Sequence, residues 1–547
     1  MPRSAAADAR VRSLVVLGGG AAGWMTAAYL GKALQGTVGI TVLESASAPP
    51  PGLGVATVPS LQHSFFDFLG INEEEWMREC DASFQMAVRF VNWRTGGGGE
   101  ARPRPLPLPS QGPDHFYHPF GLLPDYDQTS LSHYWFKRMF EGTTKEPFDY
   151  ACFREPPVMD AKKSPRWLDG RTATRYAWHL DTGLIAGFLR DFAVARLGVR
   201  HVRGELAEVV KDGRGFVTAL RTEDGAILDG DLFVDCSGFR GLLVNEAMGE
   251  PFIGMEDHLL CDGVVTADVP HDDAAHGVEP YASAIAMKAG WTWKIPMPGR
   301  FGTGYVHSSR FTTREEATEE LCALWDLDPA RTRVEHTRLR VGRTERAWVK
   351  NVVAVGPSSC FLEPLEPTGI HFITTAVQQL VRHFPDRTFR PALVDRFNRE
   401  IRVMFDDTRD FLQAHFHYAP RDDTPFWRAG KELELPEGIR EKVAAYRAGL
   451  PVDAPGTDES AYYGPVSGSR STWTNGSYYC VFAGLGLMPD APMPALAHRP
   501  ESVAGAEPLF DTVKRQQRNL LETLPSTYEY LRQLHGRTRS AGSMLPG

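Results

Sequence analysis

The stretch Ser13–Glu44 reads SLVVLGGGAAGWMTAAYLGKALQGTVGITVLE, and it decides the fold. It opens with a short apolar strand, Leu14–Leu17, which runs into a glycine-rich turn and then into a helix predicted over Trp24–Leu34. A second apolar run, Ile40–Leu43, ends in Glu44, 21 residues after Gly23. This succession of strand, glycine turn, helix, second strand and terminal acid predicts a dinucleotide-binding βαβ unit.

Each glycine of the turn has a distinct physical role in such a unit. Gly18 allows the tight turn, Gly20 lets the backbone approach a diphosphate, and Gly23 lets the helix pack close to the strand. The diphosphate would lie on the N–H groups of the first helical turn, which includes Ala21 and Ala22. Glu44 would accept hydrogen bonds from the ribose hydroxyls of an adenosine. A glycine-rich turn that binds nothing is the alternative interpretation.

Two later segments extend the same pattern. Leu232–Gly241 (LFVDCSGFRG) and Val352–Cys360 (VVAVGPSSC) are apolar runs that end in small-residue turns, as do later strands of FAD domains. The second turn has Gly356-Pro357, so it lacks a carboxylate for the ribityl chain. Strand-like runs alternate with helical stretches, which predicts an α/β fold with a second substructure woven into the first.

The whole-chain composition is that of an ordinary globular protein: 547 residues, 42% apolar and 23% charged. The net charge of -9 argues against nucleic-acid or anionic-membrane partners. The seven cysteines are scattered, without a CxxC pair, which favours reduced thiols in a cytoplasmic enzyme and no metal site. Leu14–Gly31 is uncharged, but its five glycines argue against a membrane span.

Several separate motifs resemble those of one enzyme family. Gly290–Pro296 reads GWTWKIP, and its WxWxIP pattern resembles the signature of the flavin-dependent halogenases. The resemblance extends nearly end to end and is closest to the tryptophan branch. The further matching segments are Gly54–Gln62 (GVATVPSLQ), Glu75–Trp93, Phe116–Gly121 (FYHPFG), Tyr176–Asp181 (YAWHLD), Glu363–Phe372 (EPLEPTGIHF) and Trp473–Gly486.

The resemblance implies a Rossmann-like FAD-binding fold with an interwoven, mainly helical substrate module. We expect a single unit over 1–547, with the FAD module built from about 10–80, 175–250 and 340–385 and the substrate module from about 85–170 and 390–535. It also implies that reduced FAD comes from a separate reductase, and that oxygen and chloride or bromide yield hypohalous acid. The acceptor would be tryptophan or a related indole, and a homodimer is possible.

The family's residue roles carry over motif by motif. Trp291 would wall the flavin from the substrate, with Ala56, Gly356 and Gly369 also on the cofactor, and Thr368 and Gly369 would hold the halide. Glu366 would be the base that removes the ring proton. The substrate would contact His118, Phe120, Tyr462, Tyr463 and Trp473. A hydrogen-bonded packing histidine is the alternative for His118, and a pair of core tryptophans is the alternative for Trp291 and Trp293.

The sequence departs from the family at the position of its catalytic lysine. Ser83–Phe90 reads SFQMAVRF, and Gln85 stands where the lysine belongs. A glutamine amide still donates a hydrogen bond but carries no charge and is not nucleophilic. Lys294 is not a credible substitute, because the family often has lysine there too.

Smaller departures affect the surroundings of this site. Val55 stands in place of a common glutamate, and Pro367 in place of a serine. Gly468 replaces a substrate-binding glutamate and Thr472 an aromatic residue, which remodels the amino-acid end of the pocket. Two alternatives therefore stay open: a flavin monooxygenase or oxidase of an aromatic substrate without halogenation, or a non-halogenating flavoprotein partner.

Overall fold

A computed structural model describes residues 9–45, 54–94, 114–453 and 473–541. Tyr462, Tyr463, Gly468 and Thr472 lie outside the described residues. Within them the strands are β1 Ser13–Leu17, β2 Gly39–Glu44, β3 Gly54–Ala56, β4 Ser83–Gln85, β5 Ala87–Val91, β6 His115–Pro119, β7 Asp125–Tyr126, β8 Thr129–Ser130, β9 Ala177–Asp181, β10 Arg200–Arg203, β11 Leu206–Lys211, β12 Val217–Thr222, β13 Ile227–Asp229, β14 Leu232–Asp235, β15 Phe252–Gly254, β16 Gly263–Pro270, β17 Ala282–Ala286, β18 Gly290–Met297, β19 Arg300–His307, β20 Glu335–Arg338, β21 Gly342–Thr344, β22 Trp348–Val349, β23 Val352–Ala354 and β24 Cys360–Phe361.

The two longest helices of the described ranges, α11 and α15, lie in the second half of the chain. They are α1 Ala21–Leu34, α2 Asp67–Leu69, α3 Glu73–Glu79, α4 Leu131–Phe140, α5 Phe148–Cys152, α6 Pro156–Asp160, α7 Thr182–Leu197, α8 Asp273–His276, α9 Arg314–Leu324, α10 Thr368–Arg382, α11 Pro391–Tyr418, α12 Pro425–Glu432, α13 Glu437–Arg447, α14 Asn475–Leu485, α15 Pro500–Thr523 and α16 Thr527–Ala541. Short 3-10 or π turns cover Gln62–Phe66, Gly238–Arg240, Leu242–Ala247, Gly356–Ser358 and Pro494–His498.

A six-stranded sheet in the order β10-β2-β1-β14-β23-β22 contains both strands of the predicted dinucleotide-binding unit, β1 and β2. β1 pairs in parallel with β2 on one side and with β14 on the other. Its apolar run VVL is buried throughout, as expected for a central strand covered on both faces. The four strand segments predicted from the sequence therefore lie in this one sheet, and the predicted α/β fold class is confirmed. The fingerprint helix begins at Ala21, three residues before the predicted start.

A seven-stranded sheet in the order β20-β16-β19-β18-β17-β5-β6 is a feature that the sequence pattern did not predict as a unit. Its long hairpin pairs β18 with β19 in antiparallel register, so GWTWKIP is a central strand. β5 joins β17 in parallel and β6 in antiparallel register, and the last pairing sets His118 opposite Val88. This sheet positions the family signature and the FYHPFG segment in one layer.

One hydrophobic core connects the two sheets and the long C-terminal helices. A continuous cluster of buried side chains includes Trp24 of α1, Trp291 of β18, Phe411 of α11 and Leu534 of α16. Segments distant in sequence therefore share one interior. Among the described helices, none combines the length and apolarity that a bilayer span requires.

Candidate active site

The glycine turn has the geometry that each glycine predicts. Gly18 has a φ of +120°, and a Cβ there would lie 2.2 Å from the carbonyl oxygen of Cys236. A Cβ on Gly23 would lie 1.8 Å from the carbonyl oxygen of Gly18. Beside Gly20, in contrast, a Cβ would have no heavy atom within 4 Å. Two glycines are thus required by packing, while the third faces open space at the N-terminus of α1.

The turn after β23 closes over the same helix end. Gly356 has a φ of +75°, and a Cβ there would lie 2.8 Å from the Cβ of Ala22. Glu44 lies at the other side of the turn, where a Cβ on Gly19 would be 2.2 Å from its Cγ. Its Oε2 is 2.8 Å from Nε2 of His201 on β10. The fingerprint acid therefore borders the glycine turn and is paired with a histidine that sequence reasoning missed.

Gln85 is fully buried at the end of β4. Its Oε1 accepts a hydrogen bond from the Thr57 N–H at 3.2 Å, next to Ala56 of β3. Its Nε2 lies 3.5 Å from the carbonyl oxygen of Ala87. Both contacts of this side chain are to backbone, so the neutral amide is held between two strands.

Trp291 is buried on β18, and its indole Nε1 donates to Oε2 of Glu363 at 3.1 Å. The Trp293 ring lies on the same strand face, with ring centroids 6.0 Å apart and planes at 54°. Burial raises the pKa of Glu363 to about 7, although the hydrogen bond from Trp291 opposes the shift. The signature tryptophan is therefore bonded directly to the segment that carries Glu366.

Lys294 is engaged in an ion pair on the opposite face of the signature strand. Because strand side chains alternate, it points away from Trp291 and Trp293. Its Nζ is 2.9 Å from Oε1 of Glu279, a carboxylate that Lys162 also contacts at 3.1 Å. Lys294 is thus held by Glu279 on the face of β18 away from the signature tryptophans.

Glu366 is fully buried between two histidines. Its Oε1 is 2.9 Å from Nδ1 of His118 on β6 and 3.4 Å from Nε2 of His415 on α11. Its Oε2 has no hydrogen-bond partner among the described residues. Burial by itself would raise the pKa of Glu366, but the neighbouring imidazoles, His118 foremost, outweigh it and lower the pKa below its usual value. The carboxylate is thus ionised at neutral pH, with one oxygen held and the other open.

Aromatic rings surround this carboxylate. Trp473 stacks on Phe411 with ring centroids 4.1 Å apart and planes at 23°. The His118 ring lies 6.3 Å from Trp473 and 6.1 Å from Phe411. Phe120 is buried just after β6, where its N–H donates to the carbonyl of Met86 at 2.8 Å. His118 and Trp473 therefore meet beside Glu366, although 355 positions separate them in the sequence.

Thr368 and Gly369 form the first turn of α10, directly after Glu366. Thr368 is buried, and its N–H donates to the Glu366 carbonyl at 2.7 Å. Gly369 is exposed, and a Cβ there would have no heavy atom within 4 Å. Pro367 at the helix N-cap supplies no side-chain hydrogen bond. The first turn of a helix has N–H groups without intrahelical partners and a positive potential, which suit an anion.

The side chains that sequence reasoning missed are His201, Glu363, Phe411 and His415. His415 carries no local signal, because a histidine on the buried face of the long amphipathic helix α11 has the pattern of any packed residue. Glu363 could have been noticed as the first acid of EPLEP, three residues before Glu366. The contacts that these four side chains make in the site became visible only in the tertiary structure.

The residues around the two glycine turns fit an FAD. Open space beside Gly20 and beside Gly369 leaves two helix N-termini accessible, and α1 and α10 pack against each other. Gly20, Ala21 and Ala22 would hold the diphosphate, and Glu44 is close enough to the turn for the adenosine ribose. The N-terminus of α10, which begins two residues after Glu366, thus connects this accessible space with the His118–Glu366 cluster.

Comparison with known proteins gives one consistent result. The tryptophan halogenase family model matches residues 13–501. The chain is 62% identical to the tryptophan 6-halogenase ThaL of Streptomyces albogriseolus, over 97% of this chain and 99% of that protein. It is 58% identical to the tryptophan 7-halogenase RebH of Lentzea aerocolonigenes, over 96% and 99% of the two chains.

Solved structures agree with these sequence relatives. The tryptophan 6-halogenase SttH of Streptomyces toxytricini superposes with a TM-score of 0.85 at 38% identity, over 95% of this chain and 100% of that one. Tar14, a tryptophan C-6 flavin-dependent halogenase from taromycin biosynthesis, gives 0.84 at 36% identity, over 96% and 99%. Because the family model spans most of the chain and these relatives match it nearly end to end, the protein belongs to the family of flavin-dependent tryptophan halogenases.

Proposed function

We propose that this protein is an FAD-dependent halogenase that acts on tryptophan or a related indole. The observation that carries the proposal is the Glu366 carboxylate, buried beside His118 and Trp473 with Oε2 free of hydrogen-bond partners within the described ranges. An ionised carboxylate next to aromatic rings suits a base that removes a proton from an aromatic carbon. A separate flavin reductase, chloride or bromide as the halide and a possible homodimer belong to the same proposal.

Bound reduced FAD would supply the oxygen chemistry that converts halide to hypohalous acid. The protein's own residues would do the rest. Gly20, Ala21, Ala22 and Glu44 would bind the cofactor, and Ala56, Trp291, Gly356 and Gly369 would border it. The first turn of α10, with Thr368 and Gly369, would bind the halide. His118, Phe120 and Trp473 would orient the indole, with Tyr462 and Tyr463 near its amino-acid end, and Glu366 would take the ring proton.

Gln85 would act as a weak orienting donor in place of a lysine. Its amide can donate a hydrogen bond to hypohalous acid but cannot supply a charge or form a covalent carrier. Removing one positioned donor costs about 10²–10³-fold in rate in electrostatic stabilisation. We therefore expect slow halogenation by the natural sequence.

The test supplies reduced FAD, oxygen and bromide with tryptophan and simple indoles, and analyses products by mass spectrometry. A bromine isotope doublet is expected. One added oxygen without bromine would instead indicate a monooxygenase, and bound FAD without any product would indicate a non-halogenating flavoprotein. Failure to bind FAD would contradict the proposal, because every step of it requires the bound flavin.

A companion variant, Gln85→Lys, tests the weakened donor. We expect bromination to rise by about 10²-fold, the reverse of losing a positioned donor. The Thr57 N–H that loses its glutamine partner also donates to the Trp178 carbonyl at 3.0 Å, so the exchange leaves it satisfied. Gln85→Met is the matched control, because it keeps the length of the side chain without a donor and should lower the rate. Equal rates in all three proteins would exclude a role for this position.

A further inference from the structure

His415 is placed to take a proton from Glu366. Its Nδ1 lies 2.8 Å from the carbonyl oxygen of Phe411, one turn earlier on α11. A backbone carbonyl only accepts hydrogen bonds, so Nδ1 must carry the proton of this contact. In a neutral imidazole the other nitrogen, Nε2, then bears the lone pair.

That lone pair faces the carboxylate. Nε2 lies 3.4 Å from Oε1 of Glu366, and within the described part of the chain it has no hydrogen-bond partner. His118 approaches the same oxygen more closely, at 2.9 Å. His415 is therefore the more distant of the two imidazoles at Oε1.

Aromatic side chains pack around His415. The ring is fully buried among aromatic side chains: Phe411 at 4.7 Å, Phe90 at 5.2 Å and Trp93 at 6.3 Å between centroids. Glu366, in the segment before α10, faces the His415 ring directly, and His118 of β6 contacts the same carboxylate oxygen.

We propose that His415 is a positioning residue that receives the substrate ring proton from Glu366, an inference that rests on the proposed function. When the halogenated ring carbon loses its proton, the C–H electron pair returns to the ring and the proton binds Oε2 of Glu366, which has no partner within the described residues. Rotation of the carboxyl group then turns this O–H toward Nε2 of His415. The O–H bond then breaks, its electron pair stays on the carboxylate, and the proton binds the lone pair of Nε2. The imidazolium returns the proton to water when the product leaves.

The direction of this transfer follows from the site. Since the close contact with Nδ1 of His118 favours the ionised form of Glu366, a protonated Glu366 releases its proton readily. The resulting imidazolium is stabilised by the carboxylate it faces, which is regenerated at the same moment. Glu366 is thereby ready for the next substrate without direct access of water to Oε1.

The first experiment needs no turnover. Nitrogen-15 spectra of the histidine imidazoles are recorded on the resting full-length protein, with His415→Gln used for assignment. At neutral pH we expect Nδ1 protonated and Nε2 unprotonated. On acidification, Nε2 should gain a proton before an infrared band of a neutral Glu366 carboxyl appears. In Glu366→Gln the same protonation should occur at lower pH, because the attracting negative charge is gone.

Two outcomes of this titration would overturn the proposal. A protonated Nε2 in the resting protein at neutral pH would make the contact a permanent ion pair with no acceptor. A carboxyl band that appears while Nε2 stays unprotonated would show that the proton remains on Glu366. Both results are independent of whether the enzyme halogenates, so failure of the proposed function is seen separately in the product assay.

The second experiment measures turnover of His415→Gln with tryptophan and bromide. We expect kcat to fall about tenfold, with KM nearly unchanged. This loss is smaller than the ~10²–10⁴-fold that removal of a general base costs. The solvent deuterium isotope effect on kcat should increase, because release of the proton from Glu366 becomes slow. His133→Gln is the matched control: His133 is also buried, bonded to Tyr479 at 3.2 Å, and lies outside the cluster. Equal losses in both variants, with an unchanged isotope effect, would reduce His415 to a packing role.

Discussion

At the scale of single residues, buried carboxylates decide the electrostatics of the site. Glu363 and Glu366 are both fully buried and only three positions apart, yet their pKa values shift in opposite directions. Glu366 has two imidazoles beside it, whereas Glu363 has the neutral donors Trp291 and Cys261. Burial dominates at Glu363, whereas the contacts with the imidazoles, His118 foremost, outweigh burial at Glu366. The same residue type thus has two roles set by its neighbours.

Glu363 makes the stability of the protein depend on pH. Its pKa of about 7 lies above the ordinary value of 4.5, so the folded protein holds this proton more tightly than the unfolded chain. Its contribution to stability is therefore fully present below about pH 4.5 and is lost as the pH rises through 7. We predict that Glu363→Gln, an amide that can still accept from Trp291, loses less free energy of unfolding between these values.

Urea unfolding followed by circular dichroism at several pH values measures this difference. Other groups titrate in the same window, so the comparison is between variant and parent at each pH. Glu315→Gln, an exchange in the first turn of α9 on an exposed side chain, serves as control and should follow the parent. Parallel curves for Glu363→Gln and the parent would show that Glu363 does not titrate in the folded protein near neutral pH.

At the scale of elements, one glycine of the turn is needed for packing and another borders the space where the cofactor would bind. A Cβ on Gly23 would collide with the Gly18 carbonyl oxygen, a backbone atom that cannot move without the turn. Gly20 has an extended backbone, φ −77° and ψ −174°, that alanine adopts without strain, and the space around it is open. We therefore predict that Gly23→Ala lowers the stability by about 1–3 kcal/mol or more. Gly20→Ala should change it by less than about 1 kcal/mol.

FAD binding should distinguish the two variants further. If the diphosphate lies over Gly20, the new methyl group raises the Kd for FAD about tenfold or more, equivalent to 1.4 kcal/mol. Flavin fluorescence titration measures the Kd, and thermal melting measures the stability. Gly187→Ala in α7 is the control, because its Cβ meets no neighbouring atom and alanine favours a helix. Normal FAD affinity in Gly20→Ala would place the diphosphate elsewhere.

At the scale of the whole molecule, the cofactor layer and the aromatic cluster share one core. The buried cluster runs from Val11 before β1 to Leu534 in α16 and includes both Trp24 and Trp473. The predicted division into an FAD module and a substrate module therefore stays a proposal about function. It does not describe two separable hydrophobic interiors.

We predict that the protein unfolds in a single transition. Far-ultraviolet circular dichroism reports the whole backbone, and near-ultraviolet signals report the packed tryptophans of both regions, so their midpoints should coincide. Added FAD should raise both midpoints together, because a ligand that binds only the folded state stabilises everything that unfolds with it. Separate midpoints, with only one shifted by FAD, would reveal two independently folding modules.

The sequence by itself determined the nucleotide-binding unit and the family. The segment Ser13–Glu44 was sufficient to predict the nucleotide-binding unit. Strand periodicity, glycine conformation and helix packing depend there on residues close together in the sequence. The family motifs likewise indicated Glu366, His118 and Trp473 from the sequence alone. The sequence also identified the exchange at Gln85, whose consequence for rate awaits measurement.

Only the tertiary structure decided which groups face Glu366. His118 lies 248 positions from it in the chain, and His415 approaches from a helix whose sequence pattern is that of ordinary packing. Contacts of this kind depend on how β6, α10 and α11 pack around one core. No local pattern encodes a distance of 2.9 or 3.4 Å between side chains from different elements.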